Sequence, residues 1–234
     1  MPSSSSKQSS PFTPKTFAFL RELKNNNDRD WFAENKSRYE EDVLRCAMDF
    51  VTQMQPRIAK LSRYLLAEPK RVGGSIMRIY RDTRFAKDKT PYKTNVGIHF
   101  RHAIADDMNS PGLYVHLEPD ACMLAAGIWM PPAEALGSIR QSIVDNPSDW
   151  KRVCKNKKFT ERFKLDGESL KTAPRGYAPD HPAIVDLRRK SFAGVSAFSE
   201  KSFLQPDLLD LVTAAFADAR PLMKFLCDAL HQPY

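Results

Sequence analysis

Residues 113–129 read LYVHLEPDACMLAAGIW. Leu113, Val115 and Leu117 alternate with Tyr114, His116 and Glu118, the two-residue period of a strand with one buried face. Glu118-Pro119-Asp120-Ala121 is too short for a crossover, so strands at Leu113–Glu118 and Ala121–Trp129 are predicted to pair as an antiparallel hairpin. Upstream, past Gly73-Gly74, the runs Ile76–Tyr80 and Asn95–His102 are rich in β-branched and aromatic residues and read as strands. The Asp106–Gly112 connection is short enough for a second hairpin, which makes a meander, and Lys190–Phe198 reads as a further strand.

On both sides the pattern is helical. Thr13-Pro14 reads as a cap with proline at the first helical position, followed by Phe17, Leu20 and Leu23 and a stop at Asn25-Asn26-Asn27. Asp28 caps a long apolar stripe running from Trp31 and Phe32 through Tyr39, Val43, Cys46, Phe50, Met54 and Ile58 to Leu65, which Pro56 is expected to kink or split. Helices are predicted at Pro132–Val144, Pro147–Cys154 and Ala183–Arg189, with a basic loop at Lys155, Lys157 and Lys158 and an irregular Leu170–Pro182. Pro221 divides the apolar Pro206–Leu230 into two helices. Helices, then strands, then helices imply an α+β fold with a mainly antiparallel central sheet. Residues 12–234 are read as one domain behind a flexible Ser-rich tail at 1–11.

The chain has 234 residues and a formal net charge of +8. Half of that charge sits in RIYRDTRFAKDKTPYK at 78–93, where Arg78, Arg81, Arg84, Lys87, Lys89 and Lys93 face only Asp82 and Asp88. Ile79, Tyr80, Phe85 and Tyr92 give this segment surface to bury, so the cations are expected to be held in place as an anion site. The competing reading is a salt-bridged surface loop. The longest apolar stretch, Ala121–Met130, is about half of what a membrane-crossing helix needs. The opening MPSSSSKQSSP lacks the apolar core of a secretory signal, and the four cysteines have no metal or disulfide spacing. These features predict a cytoplasmic protein with no membrane partner.

The row Tyr114, His116 and Glu118 is a candidate acid/base set, against the alternative of a polar solvent face. His116 and Glu118 with His99 or His102 make a weaker metal reading, and no metal is assigned. Asp180-His181 pairs a carboxylate with an imidazole, although Asp180 also suits a helix cap. Asn35 and Tyr39 share a helix face near Trp31, from which Asn35 and Lys36 can join the basic turn. Neither a glycine-rich phosphate loop nor a Gly-x-Ser-x-Gly motif occurs.

Four ordered segments, NNNDRDWFAENKSRYE at 25–40, RIYRDTRFAKDKTPYKT at 78–94, YVHLEP with GIWMP within 114–131, and PRGYAPDHPAIVDLRRKSF at 174–192, resemble the domain of unknown function 2461 family. The resemblance implies no particular reaction or cofactor. It emphasises Trp31, Asn35, the basic-turn cations, Asp82, Glu118, Gly127, Trp129, Tyr177, Asp180, His181 and Lys190. Ala86 stands where a serine is usual, and Ala125-Ala126 where glycines are common. Together, residues and resemblance suggest a pocket for a small phosphorylated or carboxylated ligand, bound by Asn35, Arg78, Arg81, Arg84, Lys87, Lys89, Lys93 and Lys190. If chemistry follows, Asp82, Glu118 or His181 carries the proton. The alternatives are a nucleic-acid-binding module that adds Lys155, Lys157 and Lys158, and a structural or protein-interaction domain.

Overall fold

The computed structural model describes residues 9–104 and 110–234. Residues 1–8 of the Ser-rich segment and 105–109, which include part of the expected Asp106–Gly112 loop, lie outside the described residues. Helices α1 (Pro14–Asn25), α2 (Arg29–Glu34) and α3 (Lys36–Arg38) lead through a π-helical turn at Tyr39–Leu44 into α4 (Arg45–Leu61). Strands β1 (Val96–Phe100), β2 (Gly112–Leu117) and β3 (Met123–Ile128) follow. Then come α5 (Ala133–Asp145), α6 (Pro147–Cys154), α7 (Lys157–Arg162), β4 (Lys164–Asp166), α8 (Ile184–Leu187) and β5 (Phe192–Ala197). Helices α9 (Glu200–Phe203), α10 (Leu208–Asp218) and α11 (Arg220–Ala229) end the order. The fold is α+β, with a fully antiparallel sheet in the order β1-β2-β3-β5-β4.

Register follows from burial. Ile98 faces Val115, Val115 faces Leu124 and Ile128 faces Phe192, so one sheet face carries the large apolar side chains, all buried. Helices α4, α10 and α11 pack on the sheet. The ring of Phe216 in α10 meets Phe100 of β1 edge-on, with centroids 6.3 Å apart. Ser10 donates its hydroxyl to the Phe203 carbonyl at 2.6 Å, and Phe12 is buried between Phe50 and Phe203.

Four details differ from the sequence expectation. Pro56 neither ends nor divides α4, because Phe50, Val51, Met54 and Ile58 are fully buried and that packing outweighs the roughly 3 kcal/mol an interior proline costs. The Ile76–Tyr80 run forms only isolated bridges, Ile76 to Ile98 and Tyr80 to Tyr92. A regular ladder from the first bridge would set Tyr80 opposite Thr94, so the register slips by two residues and no strand propagates. The expected loop at Lys157 and Lys158 is instead the start of α7, where the Asn156 side chain accepts from the Phe159 amide at 3.0 Å and Phe159 stacks on Phe163. Three-residue β4, unforeseen, extends the sheet at its far edge.

Replacing Phe216 by Ala is expected to lower stability by about 3–5 kcal/mol, since a fully buried ring joining α10 to β1 is lost and a cavity remains. Urea unfolding measures this, and a loss below about 1 kcal/mol would show that the contact does not anchor the helix layer.

Candidate functional site

The second face of the sheet is built differently. Reading across it, one row is His99, Tyr114, Ala125 and Val195, and the next is Gly112, Gly127, Ala193 and Asp166. Along β2, Tyr114, His116 and Glu118 form a continuous hydrogen-bonded chain. The Tyr114 hydroxyl lies 2.9 Å from His116 Nδ1, and His116 Nε2 lies 3.1 Å from Glu118 Oε2. Thr94 donates to the other carboxylate oxygen at 3.2 Å, and the Asn95 amide lies 3.4 Å from His116 Nδ1. Since the carboxylate accepts and the phenol donates, the chain assigns one tautomer: His116 carries its proton on Nε2 and accepts from Tyr114 at Nδ1.

Burial, reinforced by the Glu118 charge, pushes the Tyr114 phenol up to about 12, so it stays protonated at neutral pH. Its hydroxyl occupies space that only Gly97 leaves open: a Cβ at Gly97 would stand 2.8 Å from the Tyr114 oxygen and 3.0 Å from Met77 Sδ. His99 lies over Gly112 in the same way, with Nε2 at 2.3 Å from where a Cβ would be. Burial first, and then Arg101, hold His99 neutral by lowering it to about 4.

Tyr114 and His99 line a cavity of about 280 Å³ floored by Ala125, Gly127 and Ala193, with Met77, Met123 and Trp129 around it and Asp166 at one end. A larger, more open groove of about 970 Å³ runs beside β4 and β5, but Arg162 on its wall is paired with Asp218 at 2.8 Å. The cavity over Tyr114 is the better candidate, because Tyr114, the end member of the hydrogen-bonded chain, lines it. Residues 15–225 match the model of the family described as Conserved hypothetical protein (DUF2461). The chain belongs to the DUF2461 family. Neither the curated proteins nor the solved structures hold a match to it.

The basic turn of this DUF2461 protein lies off the β1 edge, with Arg81 and Pro91 pairing backbone groups at 2.9 Å and Lys93 and Ile79 at 2.7 Å. Much of its charge is used internally. Arg81 pairs with Asp88 at 2.5 Å and also with the Thr90 hydroxyl. Arg84 binds Asp82 at 2.7 Å, and Lys89 donates to the Thr83 carbonyl at 2.9 Å. Lys87 is exposed. Arg78 and Lys93 make no ion pair among the described residues, and burial with the neighbouring Arg78 charge lowers the Lys93 pKa. The N-terminal helices reach this turn through Asn27, which exchanges hydrogen bonds of 2.9 and 3.0 Å with the Tyr92 backbone, and through Phe32, stacked on Tyr92 at 4.1 Å. Asn35 instead binds the Trp31 carbonyl and Arg38.

Among the other expected site residues, Glu118 is in the chain described above. Asp82 is in the basic turn, and His181 accepts from the Ala183 amide at 3.1 Å in the segment before α8. Lys190 pairs with Glu168 at 2.7 Å. No hydrogen bond joins Asp82, Glu118 and His181 to one another among the described residues. His99 points to the second face, whereas His102 is buried with Nε2 at 2.8 Å from the Pro233 carbonyl. Among the described residues no group of three or more His, Cys, Asp or Glu is placed to hold a metal ion. Sequence reasoning named Tyr92 as surface to bury and Asn27 as a helix stop but did not foresee the contact between them, and it did not single out His99 as a cavity wall, or Asp166.

Gly97→Ala is expected to keep the fold but displace the Tyr114 hydroxyl from His116, shifting the His116 side-chain nitrogen resonances in NMR; unchanged resonances would refute the close approach. For His99 the folded pKa of about 4 lies below the ordinary 6.5. Above pH 6.5 the group is neutral in both states and its contribution is intact. As pH falls from 6.5 to 4 the unfolded chain takes up a proton that the folded one refuses, so about 3 kcal/mol is lost. Urea titrations of wild type and His99→Asn across that window should differ by this slope.

Proposed function

We propose that this protein binds a small carboxylated or phosphorylated ligand on the second sheet face and removes a proton from it. The Tyr114–His116–Glu118 chain carries this reading. A ligand proton passes to the Tyr114 oxygen as the phenolic proton passes to His116 Nδ1, and Glu118 stabilises the imidazolium that forms. Thr94 and Asn95 fix the carboxylate and the ring. Arg78 follows the cavity residue Met77 in sequence, and with Lys93 it supplies the charge that draws an anionic group. Arg81, Arg84, Lys87 and Lys89 contribute to the surrounding positive potential. His181, Asp82, Asn35 and Lys190 serve the segments that frame the site.

The proposal includes one domain over residues 12–234, on the ground that a single apolar cluster runs from Phe12 to Ala229. It also includes a cytoplasmic setting, supported by four free cysteines; no helix of the described residues is long and apolar enough to cross a membrane. The nucleic-acid reading is less favoured. The basic turn lies off β1 while Lys157 and Lys158 precede β4, on opposite sheet edges about 19 Å apart at four strand spacings.

A thermal-shift panel of small carboxylates and phosphate esters, with short oligonucleotides at two salt concentrations, tests this. A ligand at about a hundred times its Kd adds roughly 2.7 kcal/mol, about 5–10 °C for a chain of this size. Ligands that shift Tm are then incubated with protein in D2O, and exchange of ligand protons is followed by NMR. Arg78→Ala with Lys93→Ala should abolish the shift, while Tyr114→Phe should keep the shift and abolish the exchange. Exchange surviving Tyr114→Phe would remove the chain from the mechanism, and a salt-erased shift with oligonucleotides alone would favour nucleic-acid binding.

A further inference from the structure

Among the described residues that line the cavity, Asp166 is the one charged side chain and no cation is present. Asp166 ends the second-face row that runs Gly112, Gly127 and Ala193 across the sheet, on the edge strand β4. Its carboxylate makes no hydrogen bond or ion pair among the described residues. The side chain is exposed, so a ligand can reach it from solvent. Of the cations near this end, Lys164 lines the neighbouring groove and Lys190 is paired with Glu168 at 2.7 Å. Trp129 stands beside the carboxylate: a Cβ on Gly167, the residue after Asp166, would lie 3.4 Å from Trp129 Cζ3. The indole N–H has no partner among the described residues, and the side chain stays 48% exposed. An uncovered indole beside an unpaired carboxylate attracts a cation twice, through the ring quadrupole and through charge.

We infer that the cavity takes a small primary amine, its ammonium held between the Asp166 carboxylate and the Trp129 indole and its hydrocarbon body lying inward over Gly127 and Ala193. A primary ammonium suits the carboxylate because its N–H groups donate charge-assisted hydrogen bonds, which a quaternary nitrogen cannot. Farther in, Met77, Met123 and Val195 give the walls apolar, polarisable side chains that fit a hydrocarbon body of irregular shape. His99, on β1, is held neutral by its burial and then by Arg101, so it adds no charge that would repel the amine. A cavity of about 280 Å³ suits a single ring and is small for an extended chain. The inference goes beyond the acid-binding reading and rests on the lining alone, at the sheet edge opposite Arg78 and Lys93. A ligand carrying both an acid and an amine would satisfy both.

The probes are cyclohexylmethylamine, cyclohexylmethanol and cyclohexanecarboxylate, which share one ring and at pH 7 present an ammonium, a neutral hydroxyl and a carboxylate. Each is titrated into isotopically labelled protein and followed by NMR. The expected result is saturable movement of the Trp129 indole and Gly127 amide resonances by the amine, with a Kd at least about tenfold below that of the alcohol. The carboxylate should bind weakest. Asp166→Asn, which keeps the shape of an exposed side chain and removes its charge, should raise the Kd of the amine to that of the alcohol while leaving the alcohol and Tm unchanged. Asp166→Ser repeats the comparison should the new amide find a partner of its own. Equal Kd values for amine and alcohol, amine binding indifferent to both Asp166 variants, tighter binding of the carboxylate, or no movement with the amine at millimolar concentration would each overturn the inference. The Asp166 variants leave Arg78 and Lys93 in place, so the acid-binding reading stands or falls separately on its own thermal-shift panel.

Discussion

Burial of one sheet face dictates what the other can hold. Ile98, Val115, Leu124 and Phe192 are sealed in the apolar cluster, so a slip of one residue in any strand would turn an apolar side chain out of it and bring a polar one in. That constraint is worth many buried side chains at about 1.5–3 kcal/mol each, far more than the hydrogen bonds of the second face. The second face is therefore held in register by forces it does not supply. It can carry a histidine held neutral, a protonated phenol and a nearly bare floor because its own stability contribution is not needed.

Within that frame, absent side chains position the groups that are present. Gly97 admits the Tyr114 hydroxyl and Gly112 admits the His99 ring. Each glycine is part of the site without presenting a functional group. The Tyr114–His116–Glu118 chain is likewise ordered by polarity: the carboxylate fixes the proton on Nε2, leaving Nδ1 as acceptor for the phenol. Burial, which raises Tyr114 and lowers His99, keeps both neutral, so an arriving anion meets no fixed charge at the cavity wall beside them.

Much of this was legible from local patterns. Alternation in residues 113–118 put Tyr114, His116 and Glu118 on one face, because a strand period needs no knowledge of its neighbours. The floor was not legible, since it depends on β5, far along the chain, inserting between β3 and β4. The charges of residues 78–93 were visible, but their pairing was not. It is set by the Asn27–Tyr92 clamp across 65 residues and by the slip between the Ile76 and Tyr80 bridges. Helix α7 was hidden by its lysines, although Asn156 followed by Phe159 and Phe163 at i, i+4 spacing was the available signal.

The basic turn shows why a charge count overstates an anion site. Asp82 and Asp88 lie within the turn and take up Arg84 and Arg81, and the Lys89 ammonium is spent on a backbone carbonyl. These exposed pairs contribute little to stability, of order 0–1 kcal/mol, and serve to shape the loop. Arg78 and Lys93 differ because partial burial and mutual repulsion already cost Lys93 part of its proton affinity. A negative charge beside Lys93 would oppose the Arg78 part of that shift, while the larger part, burial, would remain.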